Sequence, residues 1–193
     1  MVPPKAQVAD KREAILGAAL DLFSERGFDG TAMPMVAERA GVGAGTIYRH
    51  FDSKEALGNA VFRQCKLAMQ DYVLARRKPG LTAREEFRGM WQGLWDFLRE
   101  QPAACRFLET QGHATYLDEA SRAISEAVFV SITDFVRRGQ AAGAIRDASP
   151  AVIIAMALGA FIGLVKEADA GRFSLDDSVI EEAELLIWDL VHA

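Results

Sequence analysis

Apolar positions recur at helical spacing along almost the whole of this chain. From Asp10, residues Ile15, Ala18, Ala19, Leu22 and Phe23 keep to an i, i+3, i+4, i+7 rule on one face. Asp10 with Glu13 suits an N-terminal capping pair, and Gly27 suits the stop, where a left-handed residue is cheap. Two short helices are predicted next, over 33–40 and 44–50, split by Gly41-Val42-Gly43. A fourth starts after Asp52-Ser53, with Glu55 placed to complete its cap, and runs towards Lys78 before Pro79-Gly80 breaks it. Further helices are predicted over 82–99, 102–111, 117–142, 149–170 and 176–191, with breaks at Gln101-Pro102, Gly112, 143–147 and 171–174. Ser149-Pro150 offers a hydroxyl cap followed by proline at the first helical position. No β-branched run alternates with polar residues between turn signals, so the expected fold class is all-α.

Composition narrows the class. With 193 residues, 50% of them hydrophobic, and a net charge of −5, the chain can bury a real core in one or two domains and is not a disordered tract. Cys65 and Cys105 stand apart with no paired CxxC, so neither a zinc ribbon nor a disulfide framework is indicated. A reducing, cytoplasmic setting is the simplest reading. Residues 1–9 carry one basic residue, Lys5, and no apolar run, which reads as a flexible arm rather than a signal peptide. Residues 150–165 are uncharged, but sixteen residues fall short of the roughly 20 a spanning helix needs, so no membrane role is expected. Residues 1–63 hold eight basic and eight acidic groups, leaving the whole acidic excess to the remainder. The N-terminal part therefore does not repel a polyanion outright.

The informative segment is TAMPMVAERAGVGAGTIYRHFDSKEAL, from Thr31 to Leu57. Ala37 is small where two short helices must cross closely. Gly41, four residues on, supplies the positive φ needed to leave the first helix. Val42 and Ile47 return apolar side chains to it. A helix–tight turn–helix unit of this kind presents the start of its second helix to the DNA major groove.

The continuation through Gly45-Thr46 and Tyr48, His50, Phe51, Ser53, Lys54, Glu55 and Leu57 closely resembles the tetracycline-repressor (TetR-type) family of bacterial transcription regulators, over about residues 10–62. The resemblance implies a DNA-binding domain over 10–55 and a helical ligand-binding and dimerising domain over 56–193. It implies that Thr31 bonds a phosphate, that Thr46, Tyr48 and Arg49 approach bases or phosphates, and that His50 and Lys54 hold the backbone. Physical chemistry agrees for two of these. Lys54 falls in the first turn of a helix whose N–H groups also attract phosphate. Arg49 is the side chain here capable of a bidentate guanine contact. Family members commonly carry a hydroxyl at the position of Gly43 and a basic residue at that of Ala44. In this chain Gly43, Ala44 and Gly45 permit close backbone approach but leave few side chains to read sequence.

Other readings of the same residues are simpler. Phe51 follows the spacing of a packed face and suits core, while Tyr48 suits a mixed role, ring packed and hydroxyl on phosphate. Gly41-x-Gly43-x-Gly45 superficially resembles a nucleotide loop, but such loops follow a strand. Glu109 and His113 stand four apart, yet two ligands are fewer than most metal sites need, so no metal or cofactor is expected. No nucleophile elbow or HExxH occurs, which argues against an enzyme. A helical carrier of a hydrophobic ligand remains the alternative to a DNA-binding regulator.

For the remainder, Met69, Tyr72, Phe87, Met90, Trp91, Trp95, Phe107 and Phe129, with Met156 and Phe161, could line a pocket for an apolar or amphipathic effector, or simply form core. Trp91 and Trp95, beside Met90, are the preferred wall. Ala151, Ala155, Gly159 and Gly163 repeat every four residues and make a smooth ridge. Glycine inside a helix costs about 1 kcal/mol relative to alanine, so close approach of another helix is expected to offset it. That helix could belong to the same chain. The amphipathic last helix, with Ile180, Leu186, Ile187, Leu190 and Val191, favours an interface in a homodimer bound to a double-stranded DNA operator, as the family resemblance also implies.

Overall fold

A computed structural model describes residues 5–109 and 113–193. Among these residues the chain forms nine α-helices: α1 (Lys5–Arg26), α2 (Met33–Arg39), α3 (Ala44–His50), α4 (Lys54–Leu74), α5 (Ala83–Glu100), α6 (Pro102–Glu109), α7 (Glu119–Ala141), α8 (Pro150–Asp169) and α9 (Asp177–Val191). A 3-10 turn at His113–Thr115 precedes α7, and a lone antiparallel bridge joins Ile145 to His192. The fold class is all-α.

Local chemistry explains most boundaries. Ser53 Oγ accepts the amide of Ala56 at 3.0 Å and opens α4. At α5, Glu85 accepts from the amide and hydroxyl of Thr82, both at 2.8 Å, while Thr82 Oγ1 accepts the amide of Glu85. Asp176 caps α9 through the amide of Val179 at 3.1 Å.

Two of the expected boundaries move well away from their predicted positions. The helix expected from Asp10 begins at Lys5, because Lys5, Ala6, Gln7 and Ala9 are all good helix formers, so Asp10 lies inside α1 and caps nothing. Of the expected arm, residues 1–4 fall outside the described ones. α4 stops at Leu74, short of Lys78, where the amides of Ala75 and Arg77 turn to the carbonyls three residues back, Tyr72 and Leu74. Ser149 precedes Pro150 as expected, but its hydroxyl makes no cap bond, and its carbonyl takes the amides of Val152 and Ile153. The expected end at Gln111 and the stop at Gly112 lie outside the described residues.

The chain divides into two compact units. Unit 1 takes the residues up to Ala68 together with Glu100–Ile124; unit 2 takes Met69–Arg99 and Ser125–Ala193. In unit 1, Ile15, Phe23, Val36, Ile47, Leu57 and Val61 are buried, and Phe23 stacks on Phe107 of α6 with centroids 5.9 Å apart. Unit 2 is built around Phe87, Trp91, Trp95, Phe135, Ile153, Phe161 and Ile180. Among the described residues, α8 alone is long and apolar enough to cross a membrane, with mean hydropathy 1.9 over its most apolar window. Its Ile153, Ile154, Phe161 and Val165 are nevertheless buried in the core of unit 2.

Candidate nucleic-acid interface and effector site

The turn between α2 and α3 carries the geometry the sequence calls for. Gly41 has φ +65°, a region any side chain would strain. The amides of Gly41 and Val42 bond the carbonyls of Glu38 and Ala37 at 3.1 and 2.9 Å. Val36, Ala37 and Ile47 are buried between the two helices, which fixes α3 against α2. Gly43, Ala44, Gly45, Tyr48 and Arg49 then face solvent, with Thr46 and His50 half-buried. Gly43 occupies the N-cap of α3 without a side-chain cap bond, as its missing hydroxyl requires. Phe51 is buried, with the Arg12 guanidinium 5.4 Å above its ring. Tyr48 is 52% exposed, so its side chain is partly covered and partly open to solvent.

Two expected phosphate contacts are differently employed. Thr31 is 2% exposed, and its hydroxyl donates to the carbonyls of Gly27 and Leu22 at 2.9 and 3.2 Å, so its donor serves the α1–α2 turn rather than a phosphate. Lys54 Nζ donates to the carbonyls of Phe28 and Thr31 at 3.0 and 3.2 Å and stands 4.4 Å from the centroid of Phe28. The amine closes the same turn. Lys54→Ala is therefore expected to lower stability by about 1.5–3 kcal/mol, the usual worth of a hydrogen bond to a charged group. The slope of DNA affinity against salt should stay unchanged; a slope reduced by about one would return Lys54 to a phosphate.

Residues 15–61 match the family model for bacterial regulatory proteins of the tetR family, and residues 62–193 match that for the tetracyclin repressor-like C-terminal domain. The chain belongs to the TetR family. A TetR-family transcription regulator from Marinobacter aquaeolei superposes with a TM-score of 0.87 at 26% identity, covering 98% of this chain and 99% of that one. The uncharacterized HTH-type transcriptional regulator YhgD of Bacillus subtilis is 24% identical over 173 residues, covering 89% of this chain and 91% of its own. The HTH-type transcriptional regulator RutR of Escherichia coli is 53% identical over 57 residues, covering 30% of this chain and 27% of its own. This TetR-family chain is thus a DNA-binding transcription regulator and not an enzyme. Arg49 stands exposed on α3, and the expectation that it reads a base has a direct test. Arg49→Ala is expected to cost about 1–3 kcal/mol on the preferred duplex and little on random DNA. Equal loss on both, measured by competition binding, would reassign Arg49 to a phosphate.

The expected effector residues separate. Phe87, Trp91 and Trp95 come together in unit 2, with Met90 packed against them. Phe107 does not join them; it is buried in unit 1 against Phe23 and His113. Phe129 is 40% exposed on α7, and Tyr72 sits 5.8 Å from Phe97. Met69 is half-buried near the end of α4. Trp91 and Trp95 do not form an open wall: their indole N–H groups donate to the Ile180 carbonyl at 3.0 Å and to Asp177 at 2.6 Å, fastening α9 to α5. A slight cleft lies instead between α4 and α7, lined by Gln70, Val73, Leu74, Val128, Ser131 and Ile132, with a volume of about 10 Å³, room for about one water molecule.

The expected dimer residues divide as well. Ala151, Ala155 and Gly159 are exposed and Gly163 half-buried, and a Cβ added at either glycine would meet nothing within 4 Å. On α9, Ile180 and Val191 turn into the core of their own unit and Ile187 packs against it, while Leu190 faces outward. Leu185 and Leu186 are 55% and 62% exposed. Sequence reasoning missed two polar features. Asn59 is buried, with its amide bonding the carbonyls of Glu55 and Tyr116 and the amide of Asp118. Arg84 is paired with buried Glu184. Their signal, a polar residue within an apolar helical register, is visible only once the register is known.

Proposed function

We propose that this TetR-family regulator is a cytoplasmic homodimeric repressor, released from its operator by a small apolar or amphipathic effector. Residues 10–55 would bind DNA, and 56–193 would carry the effector and dimer contacts. The observation that carries the reading is the outward face of α8 and α9. Val152, Met156, Leu158, Leu185, Leu186 and Leu190 stand exposed together with the open glycines. An apolar surface of this kind marks an interaction site, and dimers are typical of the family. A two-fold dimer places two recognition helices on half-sites about 34–36 Å apart. Effector binding would favour a conformation in which that spacing no longer fits. α4 contributes residues to both units and would transmit the change, with the Val73–Leu74 and Val128–Ile132 cleft as the place where an effector opens its own room.

The test has two arms. A thermal-shift screen of apolar and amphipathic metabolites should find compounds that raise the melting temperature. Those compounds should then weaken binding to a duplex selected by the protein from a randomised library. A compound that stabilises the protein and strengthens DNA binding would make it a co-repressor or activator instead.

A further inference from the structure

Phe28 lies in the turn between α1 and α2, where Lys54 meets both its carbonyl and its ring. The same ring stacks on Tyr116, with centroids 3.9 Å apart and planes 14° from parallel. Gly58 on α4 leaves room for this stack. A Cβ there would stand 2.7 Å from Phe28 Cε2 and 3.0 Å from Tyr116 Cε2. Tyr116 is held at both ends: its carbonyl accepts from Asn59 Nδ2 at 2.8 Å, and its hydroxyl lies 2.6 Å from His113 Nδ1. His113 Nε2 is 2.6 Å from the carbonyl of Phe107, which can only accept. The ring proton of neutral His113 therefore sits on Nε2, and Tyr116 donates to the bare Nδ1.

We propose that Tyr116 is a positioning residue for DNA binding: through Phe28 it holds the α1–α2 turn, with Lys54 and Thr31, in the arrangement that presents α2 and α3 to the groove. Tyr116 falls within the stretch that matches the C-terminal domain, so a residue outside the helix-turn-helix sets the geometry of the DNA-reading helices. Neither the effector nor the dimer enters this inference.

The His113 bond makes the positioning sensitive to protons. A proton on Nδ1 would turn it from acceptor to donor and leave the Tyr116 hydroxyl hydrogen without an acceptor among the described residues. The groups facing the pair do not welcome that charge. Lys66 on α4 acts on His113 with the same sign, while Phe62 of α4 and Phe107 of α6 face it with apolar rings. Asp29 and Cys65 act on Tyr116, and burial pushes the Cys65 thiol up to about 12, so it is uncharged. Burial holds His113 below its ordinary value, with the Phe107 carbonyl opposing. The contribution of the neutral ring is thus fully present above about pH 6.5 and is lost as pH falls below it.

The test compares wild type, Tyr116→Phe and Tyr116→Leu for affinity to a duplex that the wild-type protein has selected from a randomised library, between pH 8 and pH 5.5. His50 and His192 are common to all three proteins and cancel in the comparison. Tyr116→Leu should bind about tenfold more weakly at pH 8, the scale of one lost hydrogen bond and its packing. Wild type should lose about three- to tenfold more affinity across the pH range than Tyr116→Phe, whose ring stacks but cannot bond the proton-sensitive nitrogen. A folded Tyr116→Leu binding within twofold of wild type would overturn the proposal. Should Tyr116→Leu fail to fold, the pH comparison decides alone, and superimposable profiles for wild type and Tyr116→Phe would overturn it equally.

Discussion

Gly159→Arg is expected to yield a folded monomer that no longer holds operator DNA tightly. Residue 159 lies on the solvent side of α8, and a Cβ there would touch nothing within 4 Å, so the arginine has room in the isolated chain. The helix itself gains, since glycine is about 0.8–1.0 kcal/mol worse than alanine inside a helix and arginine is close to alanine. What the substitution cannot tolerate is a second apolar helix approaching the same ridge. A desolvated, unpaired guanidinium there costs far more than the ridge contributes. Losing one of two linked DNA contacts removes the advantage of simultaneous engagement, about 10²–10⁴ in affinity. Light scattering should report the monomer mass, circular dichroism an undiminished helical signal, and operator affinity a loss of at least about a hundredfold. A variant that remains dimeric places the interface elsewhere. One that unfolds makes the ridge part of the chain's own core, against the open space seen at Gly159.

How much of this was legible depended on whether a feature is written in neighbouring residues. The α2–α3 turn was, because Ala37, Gly41, Val42 and Ile47 meet within one supersecondary unit, and glycine at φ +65° has a local cause. The outward set on α3 followed from the same register. Thr31 and Lys54 were misread because their donors turn to carbonyls of Leu22, Gly27, Phe28 and Thr31, a turn geometry that residue types alone do not reveal. Phe107 was misplaced for a related reason. Its partner Phe23 lies 84 residues away, and an aromatic in a helical register carries no mark of which core it fills. The indole N–H bonds of Trp91 and Trp95 to α9 were equally invisible, although a buried tryptophan predictably finds some acceptor. Periodicity gives the inner face of α9 as readily as the outer, which is why Ile180 and Val191 stood in the same expected set as Leu190.

Arg84→Met should be the most destabilising polar change in unit 2. Glu184 is 4% exposed on α9, and both of its oxygens are engaged by the Arg84 guanidinium, one of them at 2.8 Å from Nη2. Arg84 also stands 5.2 Å from the centroid of Trp188, so methionine keeps much of the contact over that ring while removing the charge. The variant leaves a buried carboxylate without its cation, and breaking a buried pair from one side costs about 3–5 kcal/mol. At about 2–4 °C per kcal/mol for a chain of this size, a loss of about 3 kcal/mol lowers the melting midpoint by roughly 6–12 °C. Tryptophan fluorescence reports this transition selectively, because Trp91, Trp95 and Trp188 all lie in unit 2. The cause is then separated from lost packing by the double variant Arg84→Met with Glu184→Leu. Replacing a buried ion pair by apolar residues of similar volume is often neutral, so the double variant should recover to within about 1 kcal/mol of wild type. If single and double variants melt alike, the cost lies in packing against Trp188 and the pair is of little account. Since Arg84, Trp91 and Trp95 together fasten α9 to α5, the single variant should also loosen the helix that presents Leu185, Leu186 and Leu190, and shift the monomer–dimer balance towards monomer.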